Sequence, residues 1–155
     1  MGRVTLRPVV EADLPIIFEH QRDPEHVRMA AFPARDEAAF YAHWAKIMAD
    51  ESNITRTVLD DGIVVGNIGS WMASPGKREV GYGYGREHWG KGIATQALAE
   101  LLREISDRPL YASVAKHNIG SLRVLEKCGF VVTGSEIIHD EQLGEEVELI
   151  NLELR

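Results

Sequence analysis

The stretch Glu79–Ala97, EVGYGYGREHWGKGIATQA, constrains this chain more than any other. Val80, Tyr82 and Tyr84 alternate with Gly81, Gly83 and Gly85, which is the two-residue period of a strand. The chain then turns through Gly85-Arg86-Glu87-His88 and reaches Trp89-Gly90-Lys91-Gly92. From there Ile93, Ala94, Ala97, Leu98, Leu101, Leu102 and Ile105 recur at helical spacing, so a strand feeds a helix through a glycine-rich turn. The first amides of a helix lack intrahelical acceptors and point outward at the positive end of its dipole. Glycines let an anion, a phosphate foremost, approach those amides with no Cβ in the way.

Spacing sorts the phosphate sites this could be. A dinucleotide fingerprint needs Gly-x-Gly-x-x-Gly, and neither Gly81-x-Gly83 nor Gly90-x-Gly92 is completed by a third glycine. Gly85 to Lys91 nearly spells a P-loop, but Gly92 stands where the magnesium-binding Ser or Thr belongs. The plain reading, a tight turn whose glycines only allow helix–sheet packing, stays open on this stretch alone.

A second stretch adds to it. Tyr111-Ala-Ser-Val-Ala115 reads as a strand, and Asn118 to Lys127 as a helix ending at Cys128-Gly129-Phe130. Strand, glycine turn, helix, strand, Asn-initiated helix and Gly-Phe, in that order, resemble the GNAT acyltransferase superfamily. The closer likeness is to its RimJ/RimL-like ribosomal-protein alanine acetyltransferase branch. The matching residues are Val80-Gly81-Tyr82, Trp89 to Thr95, and Asn118-x-x-Ser121-x-x-Val124-Leu125-Glu126-Lys127-x-Gly129-Phe130. Leu6-Arg7-Pro8, Glu11-Ala12-Asp13 and Asp23-Pro24-Glu25-His26-Val27 also look like that branch, so the likeness spans nearly the whole chain.

The resemblance implies an α/β (α+β) fold: one domain over residues 1–155, with a mixed, mostly antiparallel sheet flanked by helices. Its central strands, the one before the glycine turn and the one from Leu110, would splay apart to admit the thioester arm of acetyl-CoA. It implies that the backbones of Tyr82, Gly83 and Tyr84 meet that arm, and that a bulge near Gly83 frees an amide for the oxyanion. The pyrophosphate would rest on the amides of Trp89, Gly90, Lys91, Gly92, Ile93, Ala94 and Thr95, with the Lys91 side chain an exposed helper. Trp89 stands where the superfamily motif has Gln or Arg, as the branch commonly allows. Asn118 would cap its helix and donate a hydrogen bond to the cofactor arm; as a cap alone, Asp would serve equally. Ser121 lies one turn later on the same face. Leu125 occupies the place of the tyrosine that protonates the leaving thiolate in many of these enzymes. Leucine cannot do so, which leaves Ser121, a neighbouring tyrosine or water.

The remaining chain reads in simple terms. Arg3 to Pro8 is a first strand, Glu11 to His20 a helix that Arg22-Asp23-Pro24 ends, and Met29 to Arg35 a loop. Asp36 caps a longer helix carrying Phe40, Trp44 and Ile47. Thr55–Leu59 and Ile63–Trp71 are strands around the Asp60-Asp61-Gly62 turn, and Ser74-Pro75-Gly76 is a second hairpin turn. Phe130–His139 and Glu146–Leu154 are the last two strands, joined through Glu141 to Glu145.

Composition narrows the function. The chain has 155 residues, enough for one substantial core, and a formal net charge of −7. That balance disfavours nucleic-acid binding, which draws on excess Lys and Arg, and mildly favours a cationic acceptor. No run is long enough to span a bilayer and no signal-peptide pattern is present, so a cytoplasmic protein without a membrane partner is expected. The single cysteine, Cys128, fits a reducing compartment and reads as a small buried residue. The six histidines show no ligand spacing, so no metal is expected.

The expected activity is N-acetyl transfer from acetyl-CoA directly to a primary amine, of a small molecule or of a protein N-terminus. Glu79, at the start of the cofactor strand, is the candidate base through water, against a plain reading as a solvated strand-end carboxylate. Ser121 is the candidate group beside the thiolate. His88 and His117 border the two motifs and read as structural. A noncatalytic acyl-CoA sensor is the rival reading, motivated by Leu125, and a homodimer is open.

Overall fold

In the computed structural model, which describes residues 3–31, 34–140 and 144–155, all seven strands join one sheet. The strands are β1 (Val4–Pro8), β2 (Ile54–Asp60), β3 (Ile63–Ser74), β4 (Lys77–Tyr84), β5 (Leu110–Ala115), β6 (Val131–Asp140) and β7 (Glu145–Leu154). Their spatial order is β1-β2-β3-β4-β5-β7-β6, and every pairing is antiparallel except β4 with β5. The sheet is therefore mixed and mostly antiparallel, as expected. The Asp60-Asp61-Gly62 turn forms between β2 and β3, with Asp61 and Gly62 both at positive φ.

Five helices flank the sheet: α1 (Leu14–Arg22), α2 (Pro24–Ala30), α3 (Glu37–Ala49), α4 (Ile93–Glu104) and α5 (Ile119–Lys127). On one face α4 sinks Ala97, Leu98 and Leu101 completely, against Val58, Ile68, Val80, Leu110 and Val114 of the strands. Burying one such leucine stabilises the fold by about 1.5–3 kcal/mol, so this face carries much of the core energy. On the other face Leu14 and Ile17 of α1 meet Phe40 and Trp44 of α3. Asp36 caps α3 through Ala39 N–H at 2.8 Å, as its position predicts.

Three expectations need correction. The first helix begins at Leu14, after a 3₁₀ turn at Glu11–Asp13, because Asp13 is drawn inward. Its carboxylate takes two hydrogen bonds from Arg7 at 2.7 and 2.8 Å, one from Thr57 Oγ1 at 2.7 Å and one from Val10 N–H at 3.0 Å. Second, Met29 and Ala30 are helical. Asp23 accepts from Glu25 N–H at 3.0 Å and Pro24 occupies the first helical position, so the sequence signal that ends α1 also starts α2. Third, no bulge lies near Gly83: the β3–β4 register runs unbroken from Gly66↔Tyr84 to Met72↔Arg78. The irregularity falls at Met72/Ser74, beside the hairpin turn. The segment expected to join the last two strands falls largely on residues 141–143, outside the described residues.

Candidate active site

The site begins where β4 and β5 part. They pair only at Arg78↔Leu110 and Glu79↔Tyr111, at their amino-terminal ends, and then separate. The Gly85 N–H donates to the Val65 carbonyl at 3.0 Å, which makes these two a hydrogen-bonded pair. By the alternation of an antiparallel ladder, Gly83 and Gly81 also bond toward β3. The N–H and C=O groups of Val80, Tyr82 and Tyr84 therefore face the other way, into the gap. No bulge is needed to free an amide, because the parting of β5 already exposes them.

At the wide end of the gap the chain makes its glycine turn. Gly90 and Gly92 hold φ of 76° and 78°, a region that side chains disfavour by about 1–2 kcal/mol. A Cβ at Gly90 would meet nothing within 4 Å, so open space lies over that amide. Gly92 caps α4 with its carbonyl accepting from Gln96 N–H at 3.2 Å, and the amides of Ile93, Ala94 and Thr95 have no such partner. Lys91 is exposed beside them. The Trp89 indole N–H folds back to donate to the Tyr84 carbonyl at 3.1 Å, tying the turn to the strand.

The α5 side of the gap carries the second motif. Asn118 caps α5, its Oδ1 accepting from Ser121 N–H at 3.2 Å, while its Nδ2 donates to the Met29 carbonyl at 3.3 Å. That second bond ties α5 to α2 and was invisible in the sequence. The neighbouring His117 Nε2–H donates to the Arg28 carbonyl at 2.6 Å, so that histidine is structural. Tyr82 turns its ring toward α5, and its hydroxyl lies 2.8 Å from Ser121 Oγ. Burial pushes the Tyr82 hydroxyl up to about 12, against a smaller opposing effect of the Ser121 bond. It stays protonated across the physiological range. Leu125 is buried in the core and has no proton to offer this pair. Cys128 is half-buried, its thiol is pushed up by burial, and its Sγ lies 3.7 Å from the Thr95 carbonyl.

On the opposite face of β4 the glycines leave a strip without side chains, and rings fill it. A Cβ at Gly81 would lie 2.7 Å from the Trp71 ring, at Gly83 2.9 Å from His26 Cε1, and at Gly85 2.8 Å from His20 Nε2. His20 and His26 reach this strip from α1 and α2; His26 lies in the Asp23–Val27 segment that resembles the branch, but nothing in the sequence assigned either ring a role. Burial lowers both imidazoles below the ordinary histidine value. Glu79 is half-buried at the narrow end of the gap, on the same face as the strip. It borders a shallow cavity of about 320 Å³ with Tyr111, Ser113, Glu136 and Asn151. Among the described residues no group of three His, Cys, Asp or Glu side chains is placed to hold a metal ion. No described helix is long and apolar enough to cross a membrane.

Comparison with known proteins bears on this geometry. A family model described as acetyltransferase (GNAT) domain matches residues 3–131. The uncharacterized N-acetyltransferase p20 of Bacillus licheniformis is 26% identical over 144 residues, covering 85% of this chain and 81% of that protein. The spermidine N-acetyltransferase of Vibrio cholerae, solved in complex with CoA and spermine, superposes with a TM-score of 0.87 at 19% identity. That superposition covers 97% of this chain and 94% of the other. A ribosomal-protein-alanine N-acetyltransferase from Brucella melitensis superposes with a TM-score of 0.82 at 21% identity, covering 96% and 98%. The branch that the sequence resembles is thus one of several with this fold.

Proposed function

Because the chain belongs to the GNAT acetyltransferase family and is an acetyl-CoA-dependent acetyltransferase, we propose that it acetylates a small primary amine held over the β4–β5 gap. The observation that carries this reading is the gap itself. It is narrow at Glu79↔Tyr111, lined by the outward backbone of Tyr82 and the N–H of Tyr84, and closed at its mouth by outward amides and two positive-φ glycines. We read residues 1–155 as a single N-acyltransferase domain built around it.

The residues present fit the cofactor. The amides from Gly90 to Thr95 offer the pyrophosphate donors at a helix N-terminus, and Lys91 adds a cation. The Tyr82 backbone and the Tyr84 N–H offer the pantetheine arm a ladder edge, and the second amide hydrogen of Asn118 is spare for it. Acetyl-CoA supplies, when bound, a thioester carbonyl open to an amine. The Tyr82 N–H serves as the donor toward the carbonyl oxygen, a role worth about 3–4 kcal/mol where it has been removed in other enzymes. The hydroxyl pair of Tyr82 and Ser121 holds the proton that sulfur needs, which answers the absence of an acid at Leu125. Glu79 sits on the acceptor side and orients the amine through water.

The acceptor follows from charge. Glu79 and Glu136 outnumber Lys77 around the cavity at the narrow end, in a chain of net charge −7, which suits a cation of modest size. The name of the Vibrio cholerae relative points the same way. The test is free-thiol release from acetyl-CoA with spermidine, an amino sugar and a peptide bearing a free N-terminus. Turnover with a small amine is expected. Turnover with the peptide alone would replace this acceptor class, and binding without thiol release would leave a sensor.

A further inference from the structure

The glycine strip on the acceptor face of β4 is occupied by two imidazoles whose presence the reaction so far leaves unused. His26 Cε1 stands 2.9 Å from where a Gly83 Cβ would be, so the ring lies on the strand, one residue from the gap-facing Tyr82 amide. His20 Nε2 lies similarly over Gly85, 2.8 Å from that Cβ position, which is itself 3.0 Å from Glu87 Oε1. His20 Nδ1 is buried with no hydrogen-bond partner, an arrangement that costs stability unless something uses it. Strands seldom give up three alternate side chains, since glycine weakens a strand interior. Here the sacrifice admits rings to the backbone beside the reacting carbonyl's seat.

We propose that His26 is the base that takes the proton from the acceptor's ammonium, and that His20 and Glu87 lead that proton out to solvent. This rests on the reading of the gap as the transfer site. His26 is held neutral chiefly by burial, opposed by a hydrogen bond with the Tyr84 backbone and by Asp23, whose carboxylate also pairs with Arg86 at 3.1 Å. With one ring nitrogen engaged at Tyr84, the other keeps its lone pair for the amine. His20 neighbours His26 along the same strip, one ring over Gly85 and the other over Gly83. Glu87 is exposed, and its Oε1 borders the same Gly85 Cβ position as His20 Nε2, at 3.0 and 2.8 Å. The ammonium gives up two protons in all. One leaves through His26; the freed lone pair forms the C–N bond as the C–S bond breaks onto sulfur; the second proton ends on the thiol.

The test compares two nucleophiles at neutral pH with acetyl-CoA saturating: propylamine, which is protonated, and hydroxylamine, whose nitrogen is already neutral. General-base help is worth about 10²–10⁴-fold, so His26→Gln should lower kcat/KM for propylamine by roughly that range. It should leave hydroxylamine within about twofold and coenzyme A affinity, read by calorimetry, unchanged. If Gln compromises folding, His26→Asn takes its place. Equal losses with both nucleophiles, or no loss with either, would overturn the assignment. A selective loss in Glu79→Gln instead would move the base to the narrow end. A parent protein that binds acetyl-CoA yet releases no thiol with either amine would overturn the transfer-site reading, and this inference with it.

Discussion

Replacing Asn118 with Asp separates a helix cap from a structural tie. Both residues cap well, so on the cap alone the substitution is nearly silent. Asn118 also reaches across to α2, where its Nδ2 donates to the Met29 carbonyl at 3.3 Å. Asp keeps the acceptor for Ser121 N–H but sets an anionic oxygen against that carbonyl. Losing the bond costs about 0.5–1.5 kcal/mol, and the unpaired, half-buried carbonyl adds about 1 kcal/mol. The negative charge at the start of α5 returns about 0.3–1 kcal/mol. The balance is a loss of about 0.5–2 kcal/mol, a fall in Tm of roughly 1–8 °C for a domain of this size. Calorimetric melting of the free protein reads the total, and hydrogen exchange at Val27–Ala31 reads the tie itself. Coenzyme A affinity should fall about tenfold, or 1.4 kcal/mol, as the spare donor vanishes. An unchanged Tm with unchanged exchange in α2 would refute the tie, and parent-like affinity would leave Asn118 without a cofactor role.

Three further outcomes follow from the same geometry. Gly92→Asp puts a side chain at φ 78° and a carboxylate at the mouth of the gap, so coenzyme A binding should be lost in a protein that still melts cooperatively; calorimetry checks it. Tyr82→Phe removes the hydroxyl paired with Ser121 and should lower turnover at least tenfold with little change in coenzyme A affinity, whereas an equal turnover in steady-state assays would remove that hydroxyl from the reaction. Asp13, held at about 2 by Arg7 first and then Thr57 and Val10, has a lowered folded-state value, so its contribution is complete above the unfolded value near 4 and fades as pH falls toward 2. Asp13→Asn should therefore cost about 2 kcal/mol in urea titrations at pH 7 and distinctly less at pH 2, and a pH-independent cost would refute the assignment.

What the sequence made legible was local. The strand, turn and α4 could be read because each rests on a short-range rule: alternation, positive φ at Gly90 and Gly92, and a helical apolar stripe. Asn118 was legible as a cap for the same reason. Helix α2 was not, because seven residues carry too little periodicity to outweigh the turn signal of Asp23-Pro24. The bulge at Gly83 is what the family resemblance implies, yet the departure of β5 exposes the same amides with β4 regular. Tyr82 with Ser121, and His26 with Gly83, are pairs made only by folding. The glycines hinted that something must lie against β4, and nothing in their spacing said that it would be imidazole.

Helix α2 touches both lips of the gap: its His26 lies on β4, while its last carbonyls accept from His117 and Asn118 beyond β5. A helix is a stiff rod advancing about 1.5 Å per residue, so this one acts as a gauge block that fixes how far the two strands stand apart. The calibre of the opening is thereby tied to a seven-residue segment that is distant from both motifs in sequence and touches both in space.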